Sequence, residues 1–349
     1  MIRSSSWCAD RTVTFVYETP VSFIVQDIKI LRRNFPVIPI RWKGAASIVK
    51  LLLALLHSDI VFVWWTTGRA ATTAFILAKA LRKPTVFVAG GTEVAVDPQI
   101  HGRDPRSAIR FIIAKAVIRF VDCIIPVSAF TLREVLAISA PRRYKIVYDA
   151  VDTTRFTPDL ESRDDHSILT VALAQQYPPI DGLDRYAVKG LDRYARLQQI
   201  LPDFKFHVLG SAGSDSRVRN LFPSGVCVVP LSDGQLVSSY QNATYYCQLS
   251  RYESFGIAVA EAMACECVPV VSNSGALPEV VGDCGLVVSN GDPILAAQLI
   301  SANLGRTRSI GRRARNRILS KFSLETRANE LKKVILTLVK QKEPVPPNC

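Results

Sequence analysis

The chain has 349 residues, 48% hydrophobic and 21% charged, which supplies apolar material for two cores and excludes a disordered or disulfide-stapled chain. Its formal charge of +13 is lopsided: residues 1–150 hold 21 Lys and Arg against 10 Asp and Glu, while residues 151–349 hold 22 against 20. A basic first half points to an anionic partner, a phospholipid surface or a lipid phosphate; nucleic acid is excluded as the favoured partner, because the basic residues are dispersed and no recognition motif is present.

Met1 to Thr12 is polar and runs into Val13-Thr14-Phe15-Val16-Tyr17 with no apolar stretch of signal-peptide length. A helix is expected near Ser22 to Asn34, a strand at Val37 to Arg41, a buried helix at Ala45 to Leu56 and a buried strand at Ile60 to Trp65. The apolar stretch from Ile48 to Trp65 is broken by Lys50, His57, Ser58 and Asp59, too often to span a membrane. Next come a helix near Ala70 to Arg82, the strand Thr85 to Ala89, a helix near Ser107 to Phe120, the strand Cys123 to Val127, and Tyr144 to Val147 closing the half. This alternation predicts a parallel sheet covered by helices on both faces.

Val151 to Pro158, followed by the charged Asp159 to His166, reads as an interdomain linker. A second alternation takes Ile168 to Leu173, Phe206 to Leu209, Val226 to Val229, Tyr245 to Leu249, Val268 to Val271 and Leu286 to Val288 as strands. Arg312 to Val339 has helical periodicity, and Glu343 to Cys349 is a proline-rich frayed tail. Gly182-Leu183-Asp184-Arg185-Tyr186-Ala187 recurs as Gly190-Leu191-Asp192-Arg193-Tyr194-Ala195, a local duplication that lengthens a loop rather than a solenoid repeat.

The most informative segment is Glu253-Ser254-Phe255-Gly256-Ile257-Ala258-Val259-Ala260-Glu261. A β-prone run precedes it and an Ala-rich run without breakers follows, so it reads as strand, turn, helix. Glu253 falls on the turn and Glu261 about five residues into the helix, and at ~1.5 Å of rise per residue this separates the carboxylates by roughly the reach of one diphosphate. Paired glutamates on a helix edge are most often a solvated face. Here the N–H groups of the helix start lie between them, a place that favours anions, and each carboxylate can accept hydrogen bonds from sugar hydroxyls. The eight cysteines have no spacing typical of zinc, the four histidines are scattered and there is no Asp-x-Asp, so neither a metal nor a bound cofactor is expected; the cysteines suit a reducing cytoplasm.

Glu253 to Glu261, continued by Cys267-Val268-Pro269-Val270-Val271-Ser272-Asn273-Ser274-Gly275-Ala276-Leu277-Pro278-Glu279-Val280-Val281, resembles the signature of glycosyltransferase family 4. The likeness is good in the second half and loose in the first. It implies the GT-B architecture, two doubly wound Rossmann-like α/β domains facing across a cleft: an acceptor-side domain at residues 1–150, rejoined by a C-terminal helix at about 321–349, and a donor-binding domain at residues 151–320. It also implies that Glu253 contacts the donor sugar and Glu261 the ribose hydroxyls, that the backbone of Ser254, Phe255, Gly256 and Ile257 lies against sugar and phosphates, and that Lys189 of Lys189-Gly190-Leu191-Asp192 pairs with the diphosphate. The family's arginine after the first strand of this domain is replaced by Ala172-Leu173-Ala174-Gln175, with Arg185 as a substitute. On the acceptor side, Gly90-Gly91-Thr92-Glu93 follows a buried strand, and Gly90 and Gly91 allow close approach to a ligand. The family's histidine is missing there, with His101 read as a surface residue, and Tyr17-Glu18-Thr19-Pro20 lacks the glycine-rich turn that often follows the first strand.

The leading expectation is a retaining glycosyltransferase that moves a sugar from a UDP- or GDP-sugar to a hydroxyl of a glycan or lipid-linked acceptor, in the cytoplasm and at the inner face of an anionic membrane. A second reading is a nucleotide-sugar-binding or scaffold protein without turnover. A nicotinamide oxidoreductase is disfavoured because Gly-x-Gly-x-x-Gly is absent after a first strand.

Overall fold

The computed structural model describes residues 11–65, 67–97, 105–172, 185–210, 221–222, 226–229 and 233–341. The chain divides into two compact units, one of residues 1–97, 103–149 and 325–349 and the other of residues 98–102 and 150–324.

In the first unit, β-branched and aromatic runs alternate with Ala- and Leu-rich ones and fold as β1 (Val13–Tyr17), α1 (Ser22–Leu31), β2 (Val37–Arg41), α2 (Ala46–Leu56), β3 (Ile60–Trp64), α3 (Arg69–Ala80), β4 (Thr85–Ala89), α4 (Pro105–Phe120), β5 (Cys123–Pro126) and α5 (Ala129–Ile138). The strands are parallel in the order β2-β1-β3-β4-β5. β3 and β4 are buried along their whole length, and strands covered on both faces read as unbroken apolar runs. Leu51 and Leu55 of α2, Ala74 and Ala78 of α3, and Val117 and Ile118 of α4 close over Val61, Val63 and Phe87 in a single core. Ser128 caps α5, its hydroxyl accepting the Thr131 N–H at 2.9 Å.

Tyr144 to Val147, expected to close the half, makes a single bridge rather than a strand. The segment does run beside β5: Ile124 N–H donates to Arg143, and Lys145 and Val147 N–H groups donate to Ile124 and Pro126. Pro126 has no N–H to return, so the ladder stops at the one bridge between Ile124 and Tyr144.

The second unit runs β6 (Asp164–Ala172), α6 (Arg185–Val188), α7 (Leu191–Ile200), β7 (Lys205–Gly210), β8 (Val226–Val229), α8 (Asp233–Asn242), β9 (Ala243–Gln248), α9 (Ile257–Ala264), β10 (Val268–Ser272), α10 (Leu277–Val281), β11 (Leu286–Val288), α11 (Pro293–Ala302), α12 (Thr307–Lys321) and α13 (Leu324–Lys340), the last of which belongs mostly to the first unit. Its six strands are parallel in the order β11-β10-β9-β6-β7-β8. Counted within the unit this is 3-2-1-4-5-6 read from the other edge, the dinucleotide-fold order. β6 begins at Asp164, inside the segment expected to be linker, because Lys205 of β7 holds the Asp164 carboxylate at 2.8 Å and the Thr244 hydroxyl donates to its carbonyl at 3.0 Å. The sequence expectation of one helix from Arg312 to Val339 is corrected to two. Phe322 ends α12 because its carbonyl accepts the Val151 N–H at 2.8 Å and its ring is buried against Phe255, 5.5 Å between centroids.

α13 is fixed to the first unit by an ionic cluster that the sequence does not announce. Arg327 donates from Nε and Nη2 to the two carboxylate oxygens of Asp27 at 2.6 and 2.7 Å, and from Nη1 to the carbonyls of Val147 and Tyr148 at 3.0 and 2.7 Å. Trp64 Nε1 donates to Asp27 Oδ2 at 2.8 Å, and Asp149 stands 3.3 Å from Arg327. All three charged residues are buried. Burial pushes the Asp149 carboxyl up to about 7, opposed by the guanidinium.

Candidate functional site

In the second sheet the strand order reverses between β6 and β9, and doubly wound sheets bind ligands beyond the carboxyl ends of the strands at such a point. β6 leads into residues 173–184, so the expected arginine position at Leu173-Ala174-Gln175 and the first copy of the repeat, Gly182-Leu183-Asp184, lie outside the described residues. β9 leads through Leu249 to the turn carrying Glu253, and α9 begins at Ile257 with Gly256 before it. The sequence reading of strand, turn and helix is thus what forms.

The Glu253 side chain is 14% exposed, and its Oε2 accepts from Lys189 Nζ at 2.7 Å and from Gln248 Nε2 at 2.5 Å. Lys189 stands on the short link between α6 and α7, 64 positions away in sequence. Backbone contacts bring it there: the Arg251 N–H donates to the Val188 carbonyl at 2.8 Å and the Ser250 hydroxyl to the Lys189 carbonyl at 3.4 Å. Two glycines allow this approach. At Gly190, with φ +74°, a Cβ would lie 2.2 Å from the Leu249 carbonyl oxygen; at Gly275, with φ +60°, it would lie 2.2 Å from that of Glu253. The Glu253 carbonyl is then free to accept the Ala276 N–H at 2.8 Å. The loop after β10 and the link before α7 therefore grip the Glu253 turn from two sides.

Ser254 and Phe255 are buried, and the Phe255 ring is core. Glu261, fifth residue of α9, is half-buried and accepts the Tyr240 hydroxyl at 3.1 Å. Burial pushes its carboxyl up to about 7, against the Tyr240 bond and the positive charge of Arg155. Arg185 is the first residue of α6. Two supporting residues escaped the sequence reading. Gln248 left a signal, as the polar end of an otherwise apolar buried strand five positions before Glu253; Tyr240, on the preceding helix, left none.

The arrangement offers an ammonium, a carboxylate beside it, a helix N-terminus and a second carboxylate on that helix. Such a set neutralises a diphosphate and accepts hydrogen bonds from hydroxyls on either side of it. Among the described residues no three His, Cys, Asp or Glu gather as a metal-ion site.

In the first unit Gly90 and Gly91 follow β4, and the Gly90 N–H donates to Glu93 Oε1 at 2.9 Å. Burial pushes half-buried Glu93 up to about 7, against N–H bonds from its own turn. The sequence reading valued the glycines and passed over this carboxyl, although it stands in the same quoted run. Strand order reverses here between β1 and β3, where the N-terminus of α3 is filled from within: Glu18 Oε1 accepts the Ala70 N–H at 3.1 Å. The Glu18 carboxylate thus takes up one of the N–H groups at this helix start, within the run Tyr17-Glu18-Thr19-Pro20 that has no glycine. His101 lies outside the described residues.

Residues 187–316 match the protein family described as Glycosyl transferases group 1. Over 230 residues the chain is 28% identical to the MMP alpha-(1->4)-mannosyltransferase of Mycolicibacterium hassiacum, covering 61% of this chain and 53% of that protein. Over 60 residues it is 45% identical to the O-antigen chain mannosyltransferase B of Escherichia coli, covering 17% of this chain and 16% of that one. The chain thus spans about half the length of the first of these curated relatives and less of the second. Among solved structures, sucrose-phosphate synthase from Thermosynechococcus elongatus superposes with a TM-score of 0.75 at 17% identity, covering 95% of this chain and all of that one. Anabaena Alr3699/HepE in complex with UDP and glucose gives 0.74 at 16% identity, covering 94% and 100%. These likenesses show the fold, two Rossmann-like units of the GT-B class.

Proposed function

We propose, from the match of residues 187–316 to the group 1 glycosyl transferases, that the chain transfers a hexosyl group from a nucleoside diphosphate sugar to a hydroxyl acceptor with retention of configuration. The observation that carries this is the Lys189–Glu253 pair at 2.7 Å, held at the strand-order reversal beside α9 and Glu261. The mannosyltransferase names of the two curated relatives and the UDP held by HepE support a UDP- or GDP-hexose as donor.

In this reading the Lys189 ammonium balances the charge that grows on the departing diphosphate, as a preorganised group does at little reorganisation cost. Glu253, steadied by Gln248, accepts hydrogen bonds from the donor sugar. Glu261, steadied by Tyr240, accepts them from the ribose, and the N-terminus of α9 faces the phosphates. Displacement runs on one face of the sugar, the leaving phosphate taking the proton of the acceptor hydroxyl as the C–O bond to the phosphate breaks and that to the acceptor forms. Gly90, Gly91 and Glu93 serve the acceptor side.

The acceptor is a glycan or a lipid-linked glycan, and the charge of the basic first half supports a location at the inner face of an anionic membrane. The test is release of UDP or GDP from hexose donors with glycan and lipid-linked acceptors, and NMR of the product anomer. Release with the anomer kept supports the proposal; an inverted anomer overturns retention. The second reading, a binding protein without turnover, is favoured by the Ala172-Leu173-Ala174-Gln175 run that replaces the family's arginine; it requires nucleotide binding with no release against any acceptor.

A further inference from the structure

α2, α3 and α4 lie on one face of the first sheet, sharing one core, with α3 packed against both neighbours. Together they contain seven Lys and Arg and no Asp or Glu. Among the described residues the acids at their margins are engaged: Asp59 with Arg11 at 3.3 Å and the Thr12 N–H at 2.8 Å, and Asp122 with Lys79 at 3.1 Å and with Thr85.

The outward side of this layer is apolar where a solvated helix would be polar. On α2, Ile48, Val49, Leu52, Leu53 and Leu56 are between 38% and 63% exposed, while Leu51, Ala54 and Leu55 face the core. A helix that is hydrophobic all round belongs inside something. On α4, Ile109 and Ile112 are 63% and 67% exposed, with Phe111 and Phe120 beside them. Lys50, Lys115 and Arg119 are exposed among these residues.

We propose that the α2–α3–α4 layer is a docking surface for the anionic leaflet of a phospholipid bilayer, the apolar side chains entering the headgroup boundary and the basic ones meeting lipid phosphates. The pairing of exposed aliphatic residues with an acid-free basic field is what such interfaces require. A second copy of the chain would set two positive layers face to face, which disfavours self-association. α2 has 11 residues, about 16 Å of helix against a hydrocarbon core of about 30 Å, and among the described residues no helix is long and apolar enough to cross a membrane. The layer therefore lies on the bilayer. This names the surface for the membrane reading above and rests on it, whereas its test reads lipid binding alone.

The full-length protein is sedimented with vesicles of phosphatidylcholine and of phosphatidylcholine mixed with phosphatidylglycerol. Binding is expected to the anionic vesicles, weakening as salt rises. Leu53→Asp with Ile112→Asp lowers it about tenfold or more, and Lys50→Gln with Lys115→Gln, which leaves the apolar side chains in place, lowers it roughly fivefold per charge. All four positions are exposed, so the variants keep the parent's melting temperature. The proposal is overturned by absence of binding to anionic vesicles at low salt, by binding that the aspartate pair leaves unchanged, or by a dimer that the same pair dissolves. Nucleoside diphosphate binding, measured on the same samples, reports separately on the transferase reading: its absence leaves the lipid result standing.

Discussion

Replacing Arg327 by methionine removes a guanidinium that makes four hydrogen bonds, two to Asp27 and one each to the carbonyls of Val147 and Tyr148. Methionine keeps the aliphatic reach, so what is lost is charge and donors. Two buried carboxylates, Asp27 and Asp149, then have no counter-charge beside them. Breaking a buried ion pair in this way costs about 3–5 kcal/mol. Asp149 softens the loss, because burial already pushes its carboxyl up to about 7 and it takes up a proton; Asp27 keeps the Trp64 N–H at 2.8 Å. The lower end, about 3 kcal/mol, is therefore expected, a large share of the ~5–15 kcal/mol that holds a domain. All four tryptophans stand at positions 7, 42, 64 and 65, so Trp fluorescence in urea reports on the first unit alone. Its midpoint should fall with the slope unchanged, and Asp27→Asn added to Arg327→Met should regain part of the loss. A loss below about 1 kcal/mol, the worth of an exposed pair, would show that this buried cluster does not hold α13 in place.

Three further outcomes follow from the geometry. Glu93, Asp149 and Glu261 are each pushed up to about 7 by burial, so the folded chain binds these protons more tightly than the unfolded one; stability is full below about pH 4 for these groups and is lost as pH rises to about 7, read as a falling urea midpoint. Lys189→Met changes stability by less than about 1 kcal/mol, the Lys189 side chain being 42% exposed, yet weakens nucleoside diphosphate binding about tenfold, the worth of a charge-assisted bond, by calorimetry. Gly275→Ala, at φ +60° with a Cβ 2.2 Å from the Glu253 carbonyl oxygen, costs roughly 1–2 kcal/mol in backbone strain alone and displaces the Glu253 turn, so nucleotide affinity should fall along with the melting temperature.

The strands were the most legible part of the fold. Val13–Tyr17, Val37–Arg41, Thr85–Ala89, Val226–Val229 and Leu286–Val288 have the bounds that the apolar runs suggest; of these, Val13–Tyr17 and Thr85–Ala89 are buried almost throughout, and strands covered on both faces leave a continuous hydrophobic trace. What was hidden depends on partners far away in sequence. Ser323, a favoured residue ahead of a helix, is the local mark of the break between α12 and α13; Val151 completes it by taking the Phe322 carbonyl. Nothing near Tyr144 shows that Pro126 will leave the neighbouring ladder one donor short. In the second unit, local spacing placed Glu253 on a turn and Glu261 on a helix, since strand, turn and helix follow one another along the chain. The ion pair of Glu253 with Lys189 crosses 64 positions and rests on Gly190 and Gly275, and no spacing rule records it. Arg327 and Asp27 lie 300 positions apart, and a lone Arg in an amphipathic helix reads as a solvated residue.

In the proposed function the second unit holds a nucleoside diphosphate through Glu261 and the Glu253–Lys189 pair. Thermal unfolding of the parent chain and of Glu261→Ala, each with UDP, GDP and their hexose conjugates, tests it most directly. At a hundredfold excess over its dissociation constant, a ligand of the folded state adds about 2.7 kcal/mol. One nucleotide is expected to raise the parent's melting temperature, and Glu261→Ala to lose most of that rise. A parent chain that no nucleoside diphosphate stabilises, or a Glu261→Ala variant stabilised as much as the parent, would contradict it.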